Sequence, residues 1–189
     1  ASWIVYGPYG FGSISEIEAD SVIFSPSWFP KENSFVLEAK IGETPFTQDL
    51  TKMIEDAQSF GLNTAVFPRM GENQKIHNWW TQQSRNDVWW ADWFAELERF
   101  YLNYANIAEQ TGSERLIIGG KDVLPSFTSG LLPDGTTSNV PESSDAIWRQ
   151  IINEIRGIYH GKIVWATNAG QTMDPLPSFI DAVDELYIS

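Results

Sequence analysis

The chain alternates short, continuous apolar runs with longer amphipathic stretches. Ser21–Phe24 reads Ser-Val-Ile-Phe and is followed by Ser25, Pro26, Ser27 and Trp28. An apolar run closed by turn-forming residues predicts a buried strand entering a loop. From Pro45 to Phe60, the residues Phe46, Leu50, Met53, Ile54, Ala57 and Phe60 recur at helical spacing, and Gly61 stands at the closing position. Leu62–Phe67 predicts the next strand, ended by Pro68 and Arg69, and Pro68 to Arg85 reads as a loop. Asp87–Gln110 predicts the longest helix, with Trp90, Trp93, Phe94, Leu97, Phe100, Tyr101 and Tyr104 on one broad face and Gly112 after it.

Leu116–Gly120 predicts a third buried strand. The segment from Leu124 to Ser143 is rich in Pro, Gly, Ser and Thr. A loop of about twenty residues is long for a compact domain and is more often functional or mobile than neutral. Ser144 and Asp145 form a capping pair ahead of a helix carrying Trp148, Ile151, Ile152 and Ile155, which Gly161 stops. Lys162–Ala166 predicts a strand, Ser178–Asp184 a short helix, and Glu185–Ser189 another strand.

Continuous apolar strands separated by amphipathic helices predict a parallel sheet covered by helices. Two architectures fit this pattern: a doubly wound sheet and a (β/α)₈ barrel. No G-x-G-x-x-G follows a strand and no G-x-x-x-x-G-K-[ST] occurs, which removes support for the nucleotide-binding versions. In both folds ligands bind at the carboxyl ends of the strands.

Composition narrows the function classes. The 189 residues suit one domain with a substantial core. Twelve Lys and Arg against 25 Asp and Glu, net −13, give no basic surface for nucleic acid. The absence of cysteine excludes disulfides, thiolate metal sites and cysteine nucleophiles. No apolar run is long enough to span a membrane, and Ala1-Ser2-Trp3 does not open a signal peptide. Nine Trp predict either a large aromatic core or platforms for flat ligands such as sugar rings.

Several residues are candidates for such a site. Trp28, Trp79, Trp80 and Trp89 are possible sugar platforms; core packing or loop anchoring is the alternative. Trp90, Trp93, Trp148 and Trp165 fit buried stripes instead. Arg69 follows a strand at its carboxyl end, where it could orient a substrate or form a structural ion pair. His77 could donate to a sugar hydroxyl or lie on the surface, and His160 suits the end of a helix. Asn168 could bind a substrate hydroxyl or fix a turn. Two histidines without an H-E-x-x-H pattern predict no metal site, and Asp134, Gly135 and Asn139 do not have calcium-loop spacing. No cofactor is expected.

The stretch from Trp148 to Asn168, W-R-Q-I-I-N-E-I-R-G-I-Y-H-G-K-I-V-W-A-T-N, is similar to the helix-4 to strand-5 segment of glycoside hydrolase family 113. It also resembles the related TIM-barrel-like domains of gene transfer agents and phage tails. Phe179–Ser189 resembles the next unit of that family, and Phe24–Trp28 and Thr47–Arg69 resemble the early ones. The resemblance implies an α/β fold, a partial (β/α) TIM barrel of about strands 2 to 6 of eight. Residues 1–189 would then be one glycosidase-like domain, part of a longer chain. It implies a retaining glycosidase scaffold for β-linked polysaccharide, using two carboxylates about 5–5.5 Å apart.

The implied acid/base position, a Glu in a G-T-E motif ending strand 4, falls on Gly119, Gly120 and Lys121. A cation replaces the carboxylate, and Lys121 would bind a sugar hydroxyl or carboxylate, or pair with an acidic neighbour. Asp122 is next to it, on the opposite face by strand alternation. The implied nucleophile ends strand 7, beyond the strands counted. The expected partners are an oligosaccharide or polysaccharide, and a second chain or further polypeptide completing the barrel. The expected location is secreted or cell-surface. The competing expectations are a non-catalytic carbohydrate-binding or assembly module on the same scaffold, and a doubly wound domain unrelated to sugars.

Overall fold

The computed structural model describes residues 8–16, 18–32, 34–71, 73–168 and 176–188. Helix α1 (Pro8–Glu16) precedes strands β1 (Ser21–Phe24), β2 (Ser27–Pro30) and β3 (Leu37–Glu38). Helix α2 (Thr47–Ser59) leads to β4 (Asn63–Val66) and β5 (Arg69–Met70). Helices α3 (Asn73–Gln82) and α4 (Asp87–Thr111) lead to β6 (Arg115–Gly119) and a 3₁₀ turn, Lys121–Ser126. Helix α5 (Ser144–Ile158), β7 (Lys162–Thr167), a short 3₁₀ turn at Ile180–Ala182 and β8 (Glu185–Ile188) follow.

The main sheet has the order β1-β4-β6-β7-β8, and every neighbouring pair is parallel. It forms a half-barrel with β1 and β8 as its edges. Its outer face packs with all five helices in one large core that includes Leu50, Ile54, Trp93, Leu97, Trp148 and Ile155. Among the described residues its inner face carries only a small cluster of strand residues: Ala65, Phe67, Ile117, Val164 and Ala166, with Tyr187 against them. A doubly wound sheet needs helices on both faces, so the one-sided cover rules that alternative out.

Local chemistry explains the element ends. Asn86 accepts the Trp89 N–H at 2.9 Å and starts α4, and Gly112 ends it in the left-handed region at φ 63°. Pro26 and Pro68 interrupt β1 and β4, because proline has no N–H to give to a ladder. The pairing resumes beyond them: Arg69 donates its N–H to Pro26 O at 2.8 Å, and β2 pairs with β5 in parallel. A three-stranded sheet, β3-β2-β5, therefore stands at the carboxyl ends of β1 and β4.

Three local expectations differ from the structure. The segment Pro68–Arg85 is not all loop, because Ile76, Trp79 and Trp80 define the buried side of helix α3. The segment Leu124–Ser143 begins inside a 3₁₀ turn, and its later part is tied down. Arg85 Nε donates to Ser138 O at 3.2 Å, and Trp90 Nε1 donates to Asn139 O at 3.1 Å. Ser144 and Asp145 do not cap α5. Ser143 holds the cap position, and the pair binds Thr128 across the loop instead.

Asp145 links three segments through hydrogen bonds from Thr128 N–H, Thr128 Oγ1 and Ser178 Oγ. Partial burial pushes its pKa up, but the bonds from Ser178 and Thr128 outweigh it and hold the carboxyl below its ordinary 3.8. Its stabilising contribution is therefore complete above the ordinary value and is lost as pH falls through the depressed one. Acid titration of thermal stability should show this loss below pH 3.8, and Asp145→Ala should flatten that limb. An unchanged acid limb in the variant would remove Asp145 from the account.

Candidate active site

A cavity of 540 Å³ opens at the carboxyl ends of the central strands. Ser25 and Ser27 reach it after β1, Phe67 and Arg69 after β4, Gly120 and Lys121 after β6, and Thr167 and Asn168 at the end of β7. Phe67 and Ala166 supply apolar wall; the rest is hydroxyl, amide, glycine and cation. Two cations and no carboxylate line it among the described residues.

The strand-to-turn junction after β6 sets Lys121. Gly119 and Gly120 both take φ +85°, which glycine adopts without steric cost. A side chain at Gly119 would also come within 2.7 Å of the Trp165 ring. The Tyr101 hydroxyl accepts the Gly119 N–H at 3.1 Å. Burial pushes the Tyr101 phenol pKa up, so it stays neutral in this role. The chain then turns into the 3₁₀ segment, which leaves Lys121 exposed at the cavity and buries Asp122.

Asp122 lies off the cavity lining, as expected of it, but not through strand alternation, because the strand has already ended at Gly119. It faces Arg69, whose Nε and Nη2 both lie 3.0 Å from Oδ2. The Arg69 guanidinium also sits 4.8 Å from the Phe67 ring centroid. Lys121 forms no ion pair among the described residues.

The cavity thus brings together three of the residues singled out from sequence: Arg69, Lys121 and Asn168. The aromatic candidates lie elsewhere. Trp79 and Trp80 are 5% and 1% exposed. Trp79 packs at 4.8–5.8 Å against Trp80, Trp93 and Trp89. Their indole N–H groups donate to Ser34 O at 2.8 Å and Asp122 O at 2.9 Å. Both rings are core, and Trp80 anchors the turn that carries Lys121.

Trp89 is half-buried in the same cluster. Trp28 lies in β2 against Phe100 and Tyr104 at 5.4 and 6.0 Å, with the Arg99 guanidinium 4.7 Å over its ring. It borders a separate groove of 170 Å³ with Thr44 and Asn103. His77 is half-buried on α3 and does not line the cavity. His160 is exposed, 3.0 Å from Glu109. Ser25, Ser27 and Thr167 are the lining residues that sequence reasoning missed, although each follows or ends a strand as Arg69 does. Among the described residues no group of three or more His, Asp or Glu could hold a metal, and no helix is long and apolar enough to cross a membrane.

The model for Glycoside Hydrolase Family 113 matches residues 11–126. The chain belongs to glycoside hydrolase family 113. No curated protein matches it. Among solved structures it is similar to a family 113 β-1,4-mannanase complex, with TM-score 0.72 and 19% identity over 96% of this chain and 55% of that one. It is also similar to the family 113 β-mannanase AaManA from Alicyclobacillus acidocaldarius in complex with ManMIm, with TM-score 0.70 and 20% identity over 97% and 57%. A GH5_18 protein from Streptomyces cattleya, in complex with Manβ1-4GlcNAc, follows at TM-score 0.57 and 15% identity over 85% and 39%. The chain spans little more than half the length of its family 113 neighbours, so its barrel is partial. The family 113 match covers β1 through β6 and the turn bearing Lys121, and so includes most of the cavity's lining.

Proposed function

We propose that this family 113 domain holds a β-linked polysaccharide at the carboxyl ends of its strands and does not hydrolyse it with the described residues alone. The observation that carries this reading is the lining of the cavity. Hydroxyls of Ser25 and Ser27 and the amide of Asn168 suit sugar hydroxyls, and Phe67 suits the C–H face of a ring. Glycoside hydrolysis of the usual kind needs two carboxylates, one to protonate the leaving oxygen and one to attack or to activate water. Lys121 stands where the sequence resemblance implies the acid, and Asp122 is held by Arg69. A carboxylate pair would have to come from outside this lining.

Completion of the barrel belongs to the same reading. The outer side chains of the edge strand β8, Leu186 and Ile188, are 44% and 56% exposed. They fit cover by a further part of a longer polypeptide or by a second chain. A polysaccharide ligand sets the protein outside the cell or at its surface.

The test is titration against β-mannan, β-glucan and xylan with a parallel assay for reducing sugar. Binding to at least one glycan without released reducing ends is expected. Release of reducing ends would require a working carboxylate pair and sink the non-hydrolytic part. Absence of binding to all three would favour an assembly role instead.

A further inference from the structure

We propose that the cavity selects a sugar bearing a carboxylate, a hexuronate unit of a β-linked polysaccharide, with Lys121 as its counter-ion. This deepens the polysaccharide reading above and rests on it.

Charge placement is the first support. The chain is strongly acidic, with net charge −13, and its arginines 69, 99, 115, 149 and 156 all lie against carboxylates. The cavity reverses that balance locally. Arg69 and Lys121 line it, and one carboxylate, Asp122, neutralises one of them from below. Among the described residues one positive charge is left at the mouth. A neutral glycan offers that charge only hydroxyl acceptors, whereas a carboxylate offers an opposite charge as well as a hydrogen bond.

Neutral donors stand beside that charge: the hydroxyls of Ser25 and Ser27 line the same cavity and can donate to a carboxylate oxygen or a ring hydroxyl. Phe67 and Ala166 leave an apolar strip for the C–H face of the same ring. The acidic remainder of the surface repels a polyuronate, so attraction is confined to this mouth.

A matched ligand pair tests this. β-1,4-linked mannose and mannuronate hexamers share linkage and ring configuration and differ only at C6, hydroxymethyl against carboxylate. The full chain and a Lys121→Gln variant are titrated with each by calorimetry, at low salt and again with added salt. The expected result is about tenfold tighter binding of the mannuronate hexamer, lost in Lys121→Gln and reduced by salt. Equal or tighter binding of the neutral hexamer overturns the proposal and leaves the sugar site standing. A mannuronate preference that survives Lys121→Gln overturns the assignment to Lys121. Failure of both hexamers to bind overturns this proposal, and the polysaccharide reading falls with it only where β-mannan, β-glucan and xylan also fail to bind.

Discussion

Trp148→Ala should lower folding stability by about 4 kcal/mol, the cost of emptying an indole site in a packed core. Trp148 is fully buried on α5. Its ring stacks on Phe179 at 5.3 Å and 19° and meets Trp165 edge-on at 5.4 Å. Its Nε1 donates to Ser126 O at 2.9 Å. Truncation therefore opens a void beside Phe179, Trp165 and Tyr101, whose ring lies 6.0 Å away, and strands a carbonyl in a buried turn. The loss should extend to the cavity. Trp165 closes against Gly119 on one side and leads into Ala166, Thr167 and Asn168 on the other. Chemical unfolding of the two proteins measures the difference. Trp148→Phe keeps a stacked ring and should lose clearly less. A loss under about 1 kcal/mol in Trp148→Ala would mean that this cluster is not the close-packed centre described.

What could be read from sequence depended on the length of each pattern. The helix α4 repeats its apolar face over many turns, and β1, β4, β6 and β7 are apolar runs bounded by turn residues, so all were legible. Helix α3 carries its pattern in only Ile76, Trp79 and Trp80, flanked by polar residues, and one such triplet does not separate a helix from a loop with aromatic anchors. The strands β3 and β5, two residues each, leave no periodicity to read. Strand β5 forms because the β1–β4 pairing resumes past Pro26 and Pro68, and β3 because it pairs antiparallel with β2, both tertiary effects.

The site followed the same division. Arg69, Lys121 and Asn168 reach the cavity because each follows a strand on the carboxyl side. Trp79 and Trp80 take the core alternative because their exposure is set by packing against α4, which no local pattern near Trp79 records. Asp122 does lie off the lining, but strand alternation is not the reason: the two glycines at φ +85° turn the chain before it.

The Arg69–Asp122 pair should show strong, asymmetric coupling. Asp122 is 4% exposed, its Oδ1 has no partner, and Arg69 alone holds Oδ2. Removing the guanidinium leaves a buried carboxylate uncompensated, which is among the more costly single changes in a fold. Arg69→Met is expected to destabilise by about 2–3 kcal/mol. This is below the range for a fully buried pair, because the Arg69 side chain is 30% exposed and water screens part of the interaction. Removing Asp122 instead should cost less, since that half-exposed guanidinium can turn to solvent. The double variant Arg69→Met with Asp122→Leu should recover much of the loss, because two apolar side chains replace a desolvated pair. A double-mutant cycle by chemical unfolding gives the coupling directly. Additive losses across the cycle would show that the 3.0 Å contacts are energetically idle. In that case Asp122 would be free to act at the cavity, and the count that leaves Lys121 as its one uncompensated charge would fail with it.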